Sequence, residues 1–160
     1  MQSNFPYNNE LHEFFVACST NTVDGTMGEI IGFVDVDSRP LDKSKEKDGP
    51  PRPYLSDLAV HTGWRRKGVA RALIQKCEEK AKTWKKCELY LRVEEKNQPA
   101  LQMYHSLGYD AIPHHFFGVK DTTILLKREI EQIKNKDEIS VEMNGMVIGD
   151  NSQQVLDYIV

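Results

Sequence analysis

Apolar residues fall along this chain in short runs whose period switches between two and about four, and that switch predicts strands alternating with helices. Glu13 to Thr20 (EFFVACST) is rich in aromatic and β-branched residues and reads as a strand, followed by a turn at Val23-Asp24-Gly25. Met27 to Asp37 (MGEIIGFVDVD) is a second apolar run with Gly32 inside it, so the pair predicts a β-hairpin. Ser38 to Pro53 holds four prolines and the charged run DKSKEKDG, which cannot build a core element and reads as a solvated surface loop.

Tyr54 to Val60 (YLSDLAV) has the composition of a buried strand. From Gly68 onward, Val69, Leu73, Cys77, Ala81 and Trp84 recur at spacings of four, four, four and three, while Lys76, Glu79, Lys80 and Lys82 fall elsewhere. That is one apolar helical stripe with a charged outer face. Glu88 to Val93 (ELYLRV) alternates as a strand, so strand, helix and strand predict a right-handed βαβ unit with two parallel neighbours. Asn97 then stands at a helix N-cap with Pro99 in the first turn, the helix runs from Gln98 to Leu107, and Gly108 ends it as a left-handed cap. Ile112 to Val119 and Thr122 to Glu129 read as a final strand pair joined near Lys120-Asp121. Residues 131 to 160 hold six acidic and two basic residues, a net of four negatives, and divide the chain into a domain over 1–130 and an acidic C-terminal extension over 131–160. A short strand near Ile139 to Met143 and a helix near Ser152 to Tyr158 are expected within that extension.

A length of 160 residues suits one ordinary domain. With 28% charged and 39% hydrophobic residues the composition is that of a soluble globular chain. The net charge of -3 argues against direct nucleic-acid binding through bulk positive potential. No apolar run approaches ~18 residues, so no membrane span is expected. The N-terminus MQSNFPYNNE is neither a hydrophobic signal nor an Arg/Ser-rich transit peptide. An intracellular, cytoplasmic placement is therefore expected, or the plastid stroma if a transit peptide has been removed. Cys18, Cys77 and Cys87 are odd in number and widely spaced, which predicts reduced, buried thiols. His12, His61, His105, His114 and His115 show no metal-ligand spacing with them, and no metal site is predicted.

The chemistry concentrates at VHTGWRRKGVARAL, Val60 to Leu73, where an apolar strand passes through a basic turn into an amphipathic helix. Gly68 has no Cβ and permits close backbone approach, and the first N–H groups of the helix lack intrahelical partners. The helix dipole adds about half a positive charge there, and Arg65, Arg66 and Lys67 add mobile charge. Such a joint suits a pyrophosphate.

This stretch resembles the acetyl-coenzyme A loop of the GNAT superfamily of N-acetyltransferases: Gln or Arg, two residues, Gly, one residue, then Gly or Ala. Arg65, Gly68 and Ala70 stand in those places. A second element of the family, NQPALQMYHSLGY, matches with Asn97, Ala100, Tyr104, Gly108 and Tyr109. The likeness covers roughly Phe14 to Glu129, and its wording is closest to plastid and cyanobacterial members. The resemblance implies the α/β GNAT (acyl-CoA N-acyltransferase) fold, a mixed and mostly antiparallel sheet around a central parallel βαβ pair. It implies that backbone groups of Leu58, Ala59 and Val60 hold the pantetheine arm and that Arg65, Arg66, Lys67, Gly68, Val69 and Ala70 hold the pyrophosphate. Asn97 and Ala100 then contact the pantetheine, and Tyr104 stands near the thioester sulfur, where a phenol of pKa ~10 can protonate a departing thiolate.

The family often carries Glu or His as a base on the strand that here is Tyr54 to Val60, or works through a water. Here Asp57 is the only carboxylate on that strand. Regular alternation places Tyr54, Ser56, Leu58 and Val60 on one face and Asp57 on the other. The N–H of Leu58 is the candidate oxyanion donor. The activity implied is acetyl transfer from acetyl-CoA to a primary amine (a protein N-terminus, a lysine or a small amine) by direct attack in a ternary complex. The rival is a non-catalytic acyl-CoA-binding sensor or interaction subunit. The family also normally begins with a strand and two helices that wall the acceptor site, and these are shortened or absent here. Either the chain is a truncated product or residues 131–160 of the same or a neighbouring subunit fill that place, and a homodimer through the final strands or the extension is the expected assembly.

Overall fold

Nine regular elements make up the residues described by the computed structural model, which are 11–21, 24–39, 51–113, 122–131 and 146–150. β1 (His12–Thr20) and β2 (Met27–Arg39) form the expected antiparallel hairpin, and β3 (Arg52–Val60) pairs antiparallel to β2. α1 (Val69–Thr83) carries the chain across to β4 (Glu88–Glu94), which lies parallel to β3. α2 (Gln98–Ser106), β5 (Asp110–Ala111), β6 (Thr123–Glu129) and β7 (Met146–Asp150) complete one sheet of order β5-β6-β4-β3-β2-β1-β7. All its pairings are antiparallel except β3 with β4, as the fold class requires.

The core forms where the stripe of α1 meets the sheet. Val69, Leu73, Cys77 and Ala81 are buried as their spacing predicts, with Ala72 and Ile74 beside them. Val69, Leu73, Ile74 and Cys77 pack with Phe15, Val34, Val36, Leu55, Leu89 and Leu91 of the strands. Gly32 makes the close approach possible: a Cβ there would stand 3.0 Å from the Ala59 carbonyl oxygen, 3.1 Å from Val69 Cγ1 and 3.2 Å from Leu73 Cδ1. Glu13, buried on β1, is tied to Lys80 of α1 by an ion pair.

Several expectations change. Both flanks of the proline-rich stretch are strand, since β2 runs to Arg39 and β3 starts at Arg52; residues 40–50 lie outside the described residues. Of the strand expected over Ile112 to Val119 only Ile112 and Pro113 are among the described residues; β5 spans Asp110–Ala111, and just beyond it the Ile112 N–H donates to the Leu125 carbonyl at 3.0 Å. Residues 114–121 fall outside the described residues, as do the strand expected at 139–143 and the helix expected at 152–158. Within the acidic extension, β7 pairs with β1 from Phe15↔Asp150 to Ser19↔Met146 and closes that edge of the sheet. Cys18 and Cys77 are buried free thiols as predicted, whereas Cys87 is exposed. Neither a metal-binding group nor a helix long and apolar enough to cross a membrane occurs among the described residues.

Candidate active site

The parallel pair is short, and its shortness makes a site. β3 and β4 share only the rungs Tyr54↔Tyr90 and Leu55↔Leu91, after which β3 continues to Val60 and β4 to Glu94 without pairing to each other. The divergence begins at a β-bulge. Asp57 takes a left-handed conformation (φ 52°), and the register against β2 slips there, Asp35 facing Ser56 and Phe33 facing Ala59. The extra residue corrects the alternation expected for this strand. Leu55 belongs to the core and Leu58 and Val60 also pack against it, although Leu55 and Leu58 are an odd number of residues apart. Tyr54 and Ser56 therefore do not share a regular face with Leu58 and Val60; Asp57 and Ala59 are exposed.

Beyond β3 the chain turns through a short 3₁₀ segment, Thr62–Trp64, capped by His61 Nδ1 accepting the Gly63 N–H at 3.2 Å. Arg65 folds back and donates from Nε to the Val60 carbonyl at 3.2 Å, tying the end of the strand to the start of the helix. Lys67 Nζ lies 4.8 Å from the centroid of the Trp64 ring, a cation–π contact that holds the charge beside the turn. Arg66 (φ 62°) and Gly68 (φ 88°) both adopt left-handed conformations, and Gly68 is the N-cap of α1. The Ala72 N–H donating to the Gly68 carbonyl at 3.0 Å is the first bond of the helix. The N–H groups of Val69, Ala70 and Arg71 thus have no intrahelical acceptor, no side chain caps them, and no acidic residue occupies the first turn. With Arg65, Arg66, Lys67 and Arg71 exposed around them, these groups fit a pyrophosphate.

α2 follows β4. Asn97 caps it, its Oδ1 accepting the Ala100 N–H at 3.3 Å, and Tyr104 lies two turns further on the same side. Tyr104 is buried among core residues. Burial pushes its phenol well above the usual tyrosine range, with smaller contributions from the Cys77 thiol and from Tyr54. Tyr54 itself belongs to the paired rungs of β3 and β4. At neutral pH Tyr104 holds its proton and can donate it. The Cys77 thiol is also raised, by burial first and then by Asp35 and Glu78, and stays protonated.

The divergent strands, the uncapped basic helix start and the Asn-to-Tyr face of α2 together are the apparatus of one family. The chain belongs to the GNAT acetyltransferase family. The model of the Acetyltransferase (GNAT) family matches residues 2–109. An uncharacterized N-acetyltransferase of Lactobacillus delbrueckii subsp. lactis is 28% identical over 106 residues, which are 64% of this chain and 60% of that protein. The chloroplastic GCN5-related N-acetyltransferase 4 of Arabidopsis thaliana is 32% identical over 91 residues, 53% of this chain and 31% of that protein. The chain thus spans 60% of the length of the first of these curated relatives and 31% of the second. NAA60 of Arabidopsis thaliana, crystallised with a bisubstrate analogue, shares the GNAT fold at a TM-score of 0.59 and 24% identity, over 77% of this chain and 78% of that one.

Of the residues picked out by sequence, the turn Arg65–Ala70 and the flanking Leu58–Val60 lie together at the open end of β3, and Asn97, Ala100 and Tyr104 lie on α2 after β4. Two of them are already engaged, the Val60 carbonyl by Arg65 and Asn97 Oδ1 by Ala100. Sequence reasoning missed Arg71, on the first exposed turn of GNAT helix α1, and it missed Glu78. A carboxylate four residues after Ile74 and three before Ala81 falls on the apolar stripe, and that spacing was the available signal.

Proposed function

We propose that this GNAT chain transfers acetyl from acetyl-CoA to a primary amine by direct attack in a ternary complex. The observation that carries the reading is the parallel pair that opens beyond Leu55↔Leu91 directly beside the uncapped, basic start of α1. Beside the gap, backbone groups of Leu58, Ala59 and Val60 meet the amides of a pantetheine arm, and the turn from Arg65 to Ala70 takes the pyrophosphate. Asn97 and Ala100 line the arm from α2. The Leu58 N–H stabilises the oxyanion as the amine adds to the thioester carbonyl. Asp57, exposed on the bulge, accepts the amine proton, and Tyr104 gives its proton to the departing sulfur. Direct transfer is supported by the state of Cys77: a buried, protonated thiol is a poor acyl carrier.

The acceptor is a protein N-terminus, a lysine or a small amine, and labelled acetyl-CoA offered with a panel of all three tests the proposal. Label transferred to one class and abolished by Gly68→Val is the expected result. Coenzyme A bound in calorimetry with no label transferred to any amine would overturn catalysis and leave a coenzyme A-binding subunit.

A further inference from the structure

The end of α2 is held more firmly than a helix stop requires. The Tyr109 N–H donates to the Tyr104 carbonyl and the Gly108 N–H to the His105 carbonyl, each at 3.0 Å, with Gly108 at φ 84°: the paired bonds of a Schellman turn. A glycine and an apolar contact suffice for such a turn. Here Tyr109 is wholly buried, and its hydroxyl donates to Glu78 Oε1 of α1 at 3.0 Å. Arg128 Nη1 of β6 donates to the same oxygen at 2.6 Å, and its guanidinium lies 5.9 Å from the Tyr109 ring centroid. Glu78 itself is only 8% exposed.

Burying Glu78 and Tyr109 beside the half-buried Arg128 costs desolvation, and apolar side chains of similar volume often hold helix to sheet as well or better. What the polar trio adds is direction, because a hydrogen bond fixes the rotation of the Tyr109 ring in a way that dispersion does not. That ring meets Tyr104 edge-on, with centroids 5.7 Å apart and planes at 67°. The orientation of Tyr109 is passed in this way to the Tyr104 ring.

We propose that Glu78 and Tyr109 are positioning residues for Tyr104: the Glu78–Tyr109 hydrogen bond, secured by Arg128, sets the ring against which Tyr104 is aimed. The inference rests on Tyr104 as the proton donor, and its test separates the two. The full chain labelled with 3-fluorotyrosine gives one fluorine line for Tyr104, assigned by its loss in Tyr104→Phe. Without any substrate, Tyr109→Phe and Glu78→Leu should each shift or broaden that line and leave the Tyr90 line in place. Glu78→Gln, whose amide oxygen still accepts from the hydroxyl, should restore it. With acetyl-CoA and the amine selected by the acceptor panel, Tyr109→Phe should lower kcat about tenfold, the order expected from a sub-ångström misplacement. The KM for acetyl-CoA should stay within about twofold, since the phosphate end of the groove is untouched. In a Tyr104→Phe background Tyr109→Phe should cost nothing further.

A Tyr104 line unmoved by Tyr109→Phe would overturn the proposal, as would an undiminished loss of kcat in the Tyr104→Phe background. If Glu78→Leu does not fold, Tyr109→Phe alone decides. Tyr104→Phe with unchanged turnover would instead remove the proton donor, and the fluorine line would still decide whether Glu78 and Tyr109 orient that ring.

Discussion

On the proposed reading Gly68 combines two demands in one residue: a left-handed φ of 88° and a backbone that a phosphate must approach. A β-branched side chain meets neither, so Gly68→Val is expected to weaken coenzyme A binding at least tenfold, about 1.4 kcal/mol in calorimetry. Tyr104 makes a different prediction. Its phenol and that of Tyr109 are both raised, in each case chiefly by burial, with the Glu78 carboxylate the next cause for Tyr109. Below pH ~10 both phenols are protonated whether the chain is folded or not, and stability does not depend on them. Above that pH the unfolded chain releases protons that the folded one keeps, so stability falls by about 1.4 kcal/mol per pH unit for each phenol. Denaturant unfolding from pH 9 to 11 should show the decline, and Tyr104→Phe should remove about half of this tyrosine contribution. Gly68 and Tyr104 were both legible in the sequence because each sits in a short motif with its own local reason. The burial of Glu78 was legible only as a carboxylate on an apolar stripe, since its partners Tyr109 and Arg128 come from elements distant along the chain.

At the scale of elements, the helices read well because their signals are local: four-residue spacing for α1, and an Asn cap and a Gly stop for α2. The bulge in β3 did not. An Asp tolerates the left-handed region, but nothing around Asp57 announces that one residue of β2, Val34, must face two of β3, Asp57 and Leu58. The strand was therefore expected to alternate regularly, and the faces assigned beyond Ser56 were wrong by one residue. The contact between α1 and the hairpin depends on Gly32 in the same unannounced way. Gly32→Ala would press a methyl group against backbone at Ala59 and against two core side chains. A loss of about 1–3 kcal/mol is expected, measurable as a lower denaturant midpoint with unchanged slope.

For the whole molecule, the mixed sheet around one parallel pair was legible from the order of the runs, whereas the place of β7 was not, because its partner lies at the other end of the described sequence. Deleting residues 146–160 should leave the outer edge of β1 bare. Such edges pair with one another, so the shortened protein is expected to melt lower and to elute as dimers or larger species in size-exclusion chromatography.

The same pairing sets a clock on synthesis. Phe15 leaves the ribosome 135 residues ahead of its partner Asp150, a delay of roughly 7–27 s at ~5–20 residues per second. Throughout that interval the nascent sheet carries an open strand edge, and crowded polysomes bring many such edges together. Slower translation of the last stretch lengthens the exposure, so codon choice there bears on yield without changing a single residue.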